Sequence, residues 1–169
     1  MLEKEITTNN QITLHERVRI LEDREAIRDL KVQYAHALDS YDIEAFLDLF
    51  DEDAIWQGND NTYQGKEALR KIVSDSFDIM PFYVHMYVSP IINILSETEA
   101  KGTWYMFEPE TLVVNGEEKA VWVCARYDET YEKIDGTWKF KTVTVHMYFQ
   151  TSFDKGWLRE QRASGGVKS

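Results

Sequence analysis

The feature that most constrains the fold is a single change of hydrophobic period partway along the chain. Up to about residue 77 the apolar side chains recur at helical spacing, and from about residue 83 they alternate with polar side chains. A block of helices followed by a block of strands, without regular alternation, is typical of an α+β domain. We therefore expect a cone-shaped α+β barrel, in which a curved, mostly antiparallel sheet wraps around about three N-terminal helices.

The first helical pattern is long and has a clear start. Apolar side chains recur at helical intervals over residues 12–37, and Thr13 and Glu16 have the spacing of a capping box. Asp39 follows where this pattern ends. The sequence therefore predicts a long amphipathic helix with Asp39 at its C-terminal end.

The rest of the helical block contains shorter elements. Asp42 is placed to cap a second helix that continues through Phe50. The other expected elements are an acidic turn at 51–53, a short strand at 54–56 and a third helix at 65–77.

The second block is rich in β-branched and aromatic residues and contains hairpin signals at Asn115-Gly116 and Asp135-Gly136. Four long antiparallel strands are expected at 83–95, 99–114, 119–133 and 137–150. We expect one domain over residues 1–158. Residues 159–169 contain a Gly-Gly pair and few apolar side chains, which predicts a flexible tail.

Composition narrows the class of partner. The chain has 169 residues, and its 30 acidic and 19 basic residues give a formal net charge of −11. That charge disfavours nucleic acid and anionic membrane surfaces as partners. The single cysteine, Cys124, rules out an internal disulfide and is typical of a small core residue. The N-terminal sequence has no signal-peptide pattern, so we expect a cytoplasmic protein.

The best clue to chemistry is His85, which stands among apolar and aromatic residues in Phe-Tyr-Val-His-Met-Tyr. A buried imidazole is costly unless a partner holds its N–H group, and a carboxylate partner makes it a proton-transfer group near neutral pH. Asp39 is the candidate partner, and together they form a hypothetical general-base pair. The alternatives are a core histidine bonded to a backbone carbonyl and an aspartate that caps the end of its helix.

Several motifs together resemble a known family. They are Tyr-x-x-x-x-Asp at 34–39, Asp-Ala-x-Trp at 53–56, Gly-Lys-Glu-Ala-Leu at 65–69, the strand with His85, and the closing Tyr-Glu-Lys-Ile-Asp-Gly-Thr-Trp-Lys-Phe. The chain resembles, over about residues 14–153, the polyketide-cyclase-like (SnoaL-like) branch of the nuclear transport factor two superfamily. Within it, the chain is most similar to small cofactor-free lyases: bile-acid 7α-dehydratase, scytalone dehydratase and hexachlorocyclohexane dehydrochlorinase.

The resemblance implies roles for three residues. In those lyases a histidine abstracts a proton and an aspartate orients that histidine. The resemblance therefore implies the role of base for His85 and that of orienting group for Asp39. Tyr34 matches a tyrosine of the bile-acid enzyme, which implies a hydroxyl that donates to a leaving oxygen or a carbonyl. Tyr34 is five residues from Asp39, about 140° around a helix, so both face one site only if the helix is ending. The alternative is that Tyr34 is a core residue.

Other residues are candidates for binding substrate. Glu108 falls where the bile-acid enzyme has an aspartate, and it shares strand parity with Gly102, Trp104 and Met106. The alternative is a solvated carboxylate. His146 lies near the position of an arginine of that enzyme, which implies a second titratable group that faces His85 and either serves as acid to its base or binds a polar substituent of the substrate. Candidate apolar walls of the site, which in many small domains are only core residues, are Trp56, Phe82, Tyr87, Met106, Val123 and Phe149.

The functional hypothesis is a cofactor-independent lyase, of the dehydratase or dehydrohalogenase type, that acts on a hydrophobic ring-type substrate. An isomerase, a polyketide cyclase and a noncatalytic ligand-binding or oligomerisation module of the same fold are the alternatives. No cofactor and no metal are expected, because no phosphate-binding loop, nucleophile elbow or metal-binding motif occurs. The resemblance implies a homotrimer in preference to a dimer.

Overall fold

A computed structural model describes residues 12–157, so the predicted tail at 159–169 lies outside the described residues. Three helices precede most of the strands. The helices are α1 (Leu14–Asp39), α2 (Ile43–Asp48) and α3 (Lys66–Ile79), and the strands are β1 (Phe50–Gly58), β2 (Asn61–Gln64), β3 (Phe82–Tyr83), β4 (Met86–Ile94), β5 (Glu99–Val114), β6 (Glu117–Ile134) and β7 (Thr137–Ser152).

The strands form one curved sheet, and the helices pack against its concave face. The strand order is β2-β1-β7-β6-β5-β3, with β4 also paired to β5. All pairs are antiparallel except β1 with β7, which run parallel. The predicted architecture of N-terminal helices on a curved, mostly antiparallel sheet is therefore confirmed. No helix among residues 12–157 is long and apolar enough to cross a membrane.

The first helix is built as its sequence predicts. The Thr13 side chain accepts a hydrogen bond from the Glu16 N–H group, and the Glu16 carboxylate accepts one from the Thr13 N–H group, so the capping box is confirmed. Ile27, Leu30 and Tyr34 are buried against the sheet. The apolar side chains of the first turns, by contrast, are exposed, and Leu14 is 74% exposed.

Two local predictions after α1 were wrong. The second helix ends at Asp48 instead of continuing through Phe50, and the acidic run Asp51 to Asp53 lies within β1 instead of in a turn. Phe50 pairs with Phe140 on β7 and is completely buried. Burial of this side chain decides the backbone conformation there, because it outweighs the local preference of three acidic residues for a turn.

The region around His85 is interrupted. The predicted strand 83–95 is divided into β3 and β4, and Val84 and His85 lie between them. β2, which follows the turn at Asn59 and Asp60, was not predicted. The break matters for the site, because it frees the backbone N–H group of His85 from the regular pattern of the sheet.

Gly102 shows how closely the inner face of β5 is packed. A methyl group at this position would lie 2.8 Å from the Tyr131 hydroxyl oxygen and 3.3 Å from Trp104 Nε1. That space is needed because Trp104 Nε1–H donates to the Tyr131 hydroxyl at 2.9 Å, and that hydroxyl donates to buried Glu129. Glycine is required here for space and not for backbone conformation.

Replacement of Gly102 by alanine should therefore destabilise the protein, by about 1–3 kcal/mol, because the new methyl group overpacks the core. Urea denaturation at neutral pH measures the change. Lys101→Ala, an exposed neighbour on the same strand, is the control and should change stability by less than about 0.5 kcal/mol. Equal stabilities for the Gly102→Ala variant and the wild type would contradict this packing.

Candidate active site

Asp39 and His85 contact each other across the concave side of the sheet. Asp39 is the last residue of α1, and its Oδ1 lies 2.7 Å from His85 Nδ1. The His85 backbone N–H group also donates to the Asp39 carboxylate, at 3.1 Å to Oδ1 and 3.3 Å to Oδ2. The carboxylate thus holds both the ring and the main chain of His85. The imidazole partner is a side-chain carboxylate and not a backbone carbonyl.

This arrangement fixes the chemistry of the ring. When Asp39 is ionised, its carboxylate accepts a hydrogen bond from His85 Nδ1–H, so the neutral imidazole has its lone pair on Nε2. That nitrogen faces a second carboxyl group, since Glu108 Oε1 lies 3.5 Å from Nε2. The His85 side chain is only 10% exposed and that of Glu108 only 7%. His85 therefore stands between two carboxyl groups in a nearly closed environment.

The environment of Glu108 favours its protonated form. Burial is the main cause that raises the pKa of Glu108 from its ordinary value of 4.5 to about 7; the charge of His85 opposes this rise, and the charges of Glu110 and Asp39 contribute to it. At neutral pH this carboxyl group can either carry a proton or release one. A group with that property beside an imidazole can complement it as an acid.

Aromatic side chains enclose the imidazole. Tyr83 meets the His85 ring edge-on at 5.2 Å between centroids, and Tyr87 lies nearly parallel to it at 5.9 Å. Tyr34 meets Tyr87 edge-on at 5.8 Å. Burial raises the pKa of the Tyr34 hydroxyl well above its ordinary value, and the charges of Glu129 and Glu108 add to that effect. Tyr34 is therefore a neutral hydrogen-bond donor on the same side of the sheet as the imidazole.

Most of the predicted wall lies on the inner face. Tyr87, Met106 and Ala125 lie in one row across β4, β5 and β6, and Glu108 and Val123 lie opposite each other in the next row. Met106, Glu108 and Val123 are all buried. Trp56 is half-buried against the core, and its side chain hydrogen-bonds to the Tyr34 hydroxyl.

Three predicted residues lie elsewhere. Phe82 is 51% exposed on β3. His146 lies on the outer face, where its Nε2 is 3.0 Å from Asp128 Oδ2, so it does not face His85 as expected. Phe149 pairs with Cys124, and Cys124 belongs to the outward row of β6.

The reason for the position of Phe149 is a β-bulge. Cys124 pairs with Phe149, but the next residue, Ala125, pairs with Met147, so Tyr148 is an extra residue in β7. One extra residue reverses which face the following side chains occupy. Alternation counted from the sequence assigns Met147 and Phe149 to one face, whereas the bulge places them on opposite faces.

Sequence reasoning missed two groups of buried polar residues. Glu110 is buried two residues beyond Glu108, and its Oε1 accepts a hydrogen bond from Gln150 Nε2 at 2.7 Å. Lys31 and Glu129 form a fully buried ion pair between α1 and β6. Strand parity with Glu108 could have identified Glu110, and the helical spacing of Lys31 from Ile27 and Tyr34 placed it on the apolar face.

Comparison with known proteins agrees with this fold. The model of the SnoaL-like domain family matches residues 19–144. The chain belongs to the SnoaL-like family.

Solved structures with similar folds include three from Novosphingobium. A protein assigned as a scytalone dehydratase in N. aromaticivorans has a TM-score of 0.77 at 22% identity, over 90% of this chain and 98% of that one. The hexachlorocyclohexane dehydrochlorinase LinA-type3 of N. barchaimii has a TM-score of 0.74 at 20% identity, over 85% and 99%. A protein assigned as an aromatic ring hydroxylase in N. aromaticivorans has a TM-score of 0.68 at 26% identity, over 78% of this chain and 94% of that one.

The raised pKa of Glu108 has a consequence for stability. Because the folded-state pKa lies above the unfolded value of 4.5, the folded protein binds more protons than the unfolded one between about pH 4.5 and 7. Ionisation of Glu108 therefore costs stability as pH rises through this window, by at most about 3 kcal/mol. Glu108→Gln should remove this cost, and its advantage over the wild type should grow from pH 5 to pH 8.

Chemical denaturation of both proteins at pH 5 and pH 8 measures this difference, in which other titrating groups largely cancel. Glu99→Gln, an exposed glutamate on the same strand, is the control and should show no such growth. A constant difference between Glu108→Gln and the wild type across this range would mean that Glu108 is ionised as easily when folded as when unfolded.

Proposed function

We propose that the protein is a cofactor-independent lyase, of the dehydratase or dehydrohalogenase type, acting on a hydrophobic ring-type substrate. The observation that carries the proposal is the 2.7 Å contact between His85 Nδ1 and Asp39 Oδ1 in a nearly closed, aromatic environment. A carboxylate on one ring nitrogen makes the other nitrogen a stronger base and stabilises the imidazolium that forms.

In the proposed reaction, His85 Nε2 takes a proton from a carbon next to an activating group. The electron pair of the broken C–H bond forms the new double bond, and the leaving group departs from the neighbouring carbon. The proton that a departing hydroxide needs comes from Glu108, with Tyr34 donating a hydrogen bond to the leaving oxygen or to a carbonyl. Water leaves, and the double bond remains.

The same geometry restores the starting state. After elimination His85 is an imidazolium and Glu108 a carboxylate, and their nearest atoms, Nε2 and Oε1, are 3.5 Å apart. Return of the proton from Nε2 to Glu108 regenerates both groups without help from solvent. The nearly closed site suits such a cycle, because few waters compete for the proton.

Isomerisation is the second candidate, and the position of Glu108 favours it. An isomerase removes a proton from one carbon and delivers a proton to another, which requires a base and an acid side by side. His85 and Glu108 offer that pair. A polyketide cyclisation would begin with the same proton abstraction.

The homotrimer is a further part of this proposal. Apolar side chains on the outer face of the sheet are exposed, among them Met86, Val88, Tyr105 and Tyr148. A second and a third copy of the chain could cover them. Sedimentation equilibrium distinguishes a trimer from a dimer or a monomer.

Activity can be sought with a panel of hydroxylated and halogenated ring compounds, by mass spectrometry for loss of water or hydrogen halide. Incubation of ring ketones with the protein in D2O separates the steps, since deuterium exchange reports proton abstraction without elimination. Double-bond migration would favour the isomerase, and exchange or elimination would support the general base. Ligand binding without double-bond migration, deuterium exchange or elimination would favour the noncatalytic module.

Substitution of the dyad should abolish turnover. His85→Ala removes the base, and Asp39→Ala removes the group that orients it and stabilises its cation, so each variant should lose at least about 1,000-fold in kcat/KM. His36→Ala, an exposed histidine on α1, is the control. A folded variant of either dyad residue with a near-normal rate would remove that residue from the mechanism.

The acid should be visible in the pH dependence. If protonated Glu108 supplies the leaving-group proton, kcat should fall as pH rises above about 7, the value to which burial raises its pKa. Glu108→Gln should be slower below about pH 7, where wild-type Glu108 is protonated, and should lack this decline. The measurement is the pH–rate profile of both proteins with a hydroxylated substrate. A profile unchanged by the substitution would assign the proton donor to another group.

A further inference from the structure

A fully buried ammonium group lies next to the aromatic wall of the site. Lys31 is 1% exposed, and its Nζ is 3.7 Å from the Tyr87 ring centroid, 4.2 Å from that of Tyr34 and 4.3 Å from that of Tyr127. Phe140 is also near, at 5.6 Å. These four rings form an aromatic cage around the ammonium group, at distances where cation–π attraction is favourable.

The Lys31 ammonium group is held in place by a carboxylate of β6. Glu129 Oε1 lies 2.5 Å from Lys31 Nζ, and its other oxygen accepts a hydrogen bond from the Tyr131 hydroxyl. That hydroxyl in turn accepts from Trp104 Nε1–H, in the space that Gly102 leaves open. The polar atoms of this network thus have partners, and the position of the lysine is set by two strands of the sheet, β5 and β6.

Stability alone does not account for this pair. Burial lowers the pKa of Lys31 from its ordinary value of 10.5 to about 8, even though the charge of Glu129 and the hydrogen bond to it raise it. The net lowering means that pairing does not fully offset the loss of hydration. Replacement of buried ion pairs by uncharged residues of similar volume often leaves stability unchanged or increases it.

The cage reaches the imidazole through one ring. Tyr87 lies against the Lys31 ammonium group and is also stacked beside His85, with 5.9 Å between the ring centroids and 17° between the planes. Tyr34, the proposed hydrogen-bond donor, is in contact with the same ammonium group and with Tyr87. No hydrogen bond among residues 12–157 links Lys31 to His85, so any influence passes through these rings.

We propose that Lys31, fixed by Glu129, is a positioning residue: its ammonium group holds the Tyr87 and Tyr34 rings in place beside His85. This inference rests on the proposed function for its effect on turnover, but its effect on ring order is independent of any reaction. Lys31 touches no reacting atom in this scheme and acts only through the two tyrosines.

The test is the double variant Lys31→Met with Glu129→Gln. It removes both charges, while the glutamine oxygen can still accept a hydrogen bond from the Tyr131 hydroxyl. The matched control is Asp23→Asn with Lys133→Met. Asp23 also pairs α1 with a lysine of β6, and it accepts a hydrogen bond from Trp138 Nε1 at 3.0 Å. The control pair has the same chemistry but contacts neither His85 nor the cage.

Nuclear magnetic resonance of 3-fluorotyrosine-labelled protein reports the order of the rings, and the histidine Hε1 signals report the environment of His85. In the Lys31 double variant we expect the Tyr87 signal to broaden or split and the His85 signal to lose the ring-current shift from Tyr87. The urea midpoint should be unchanged or higher. The control variant should leave both sets of signals as in the wild type.

Once a substrate is known, kcat of the Lys31 double variant should be about tenfold to a hundredfold below that of the wild type, since small displacements of catalytic groups reduce the rate by that much. KM should change far less, because the substrate contacts remain. Wild-type ring order and wild-type kcat in the double variant would overturn the inference. Equal changes in the control variant would also overturn it, as they would show a general response to loss of a buried pair.

Two further outcomes are distinguishable. If the double variant does not fold, Glu129→Gln alone carries the same measurements, because it removes the carboxylate that fixes Lys31 and that raises the pKa of its ammonium group. If no reaction is found for the wild type but the rings lose order in the variant, the proposed function fails and the positioning role stands. If the wild type is active and the variant equally so, the positioning role fails and the proposed function stands.

Discussion

The contact between Asp39 and His85 at the end of the long helix α1 makes the candidate site, and it is the last of three polar contacts that connect this helix to the sheet. Asp23 contacts Lys133 and Trp138, Lys31 contacts Glu129, and Asp39 contacts His85. They are eight residues apart, about 12 Å of helix at each step. A helix held at three points along its length has little freedom to slide or rotate. The last contact brings the Asp39 carboxylate to His85, in the break between β3 and β4.

Burial gives these ionisable groups their chemistry. In water Glu108 would be ionised and Lys31 charged at neutral pH, but removal from water favours the neutral form of each, so that their pKa values are about 7 and about 8. Burial therefore costs stability at both groups, and at Glu108 it also provides a carboxyl group that can hold a proton at neutral pH. A site made of such groups requires a core that is stable enough to hold them, which the closely packed aromatic rings of the concave face provide.

Much of the architecture could be predicted from the sequence, because side-chain period is a local property. The change from helical to alternating spacing gave the order of elements, and α1 and the long strands lie within a few residues of their predicted bounds. Errors arose where a distant partner overrides local preference, as at Phe50, which is buried against Phe140. Parity placed Glu108 on the inner face, but the bulge at Tyr148 put Phe149 with Cys124 on the other.

The sequence by itself determined which residues are able to take part in catalysis: a histidine among aromatic residues, an aspartate at a helix end, and a glutamate in an inward row. Only the tertiary structure decided which of them meet. Asp39 and His85 are 46 residues apart along the chain, and their contact depends on how α1 crosses the sheet. Lys31 is an ordinary helical lysine in sequence, and only the rings around it make it buried. Distances between elements and the extent of burial are properties of the assembled core, so no local pattern contains them.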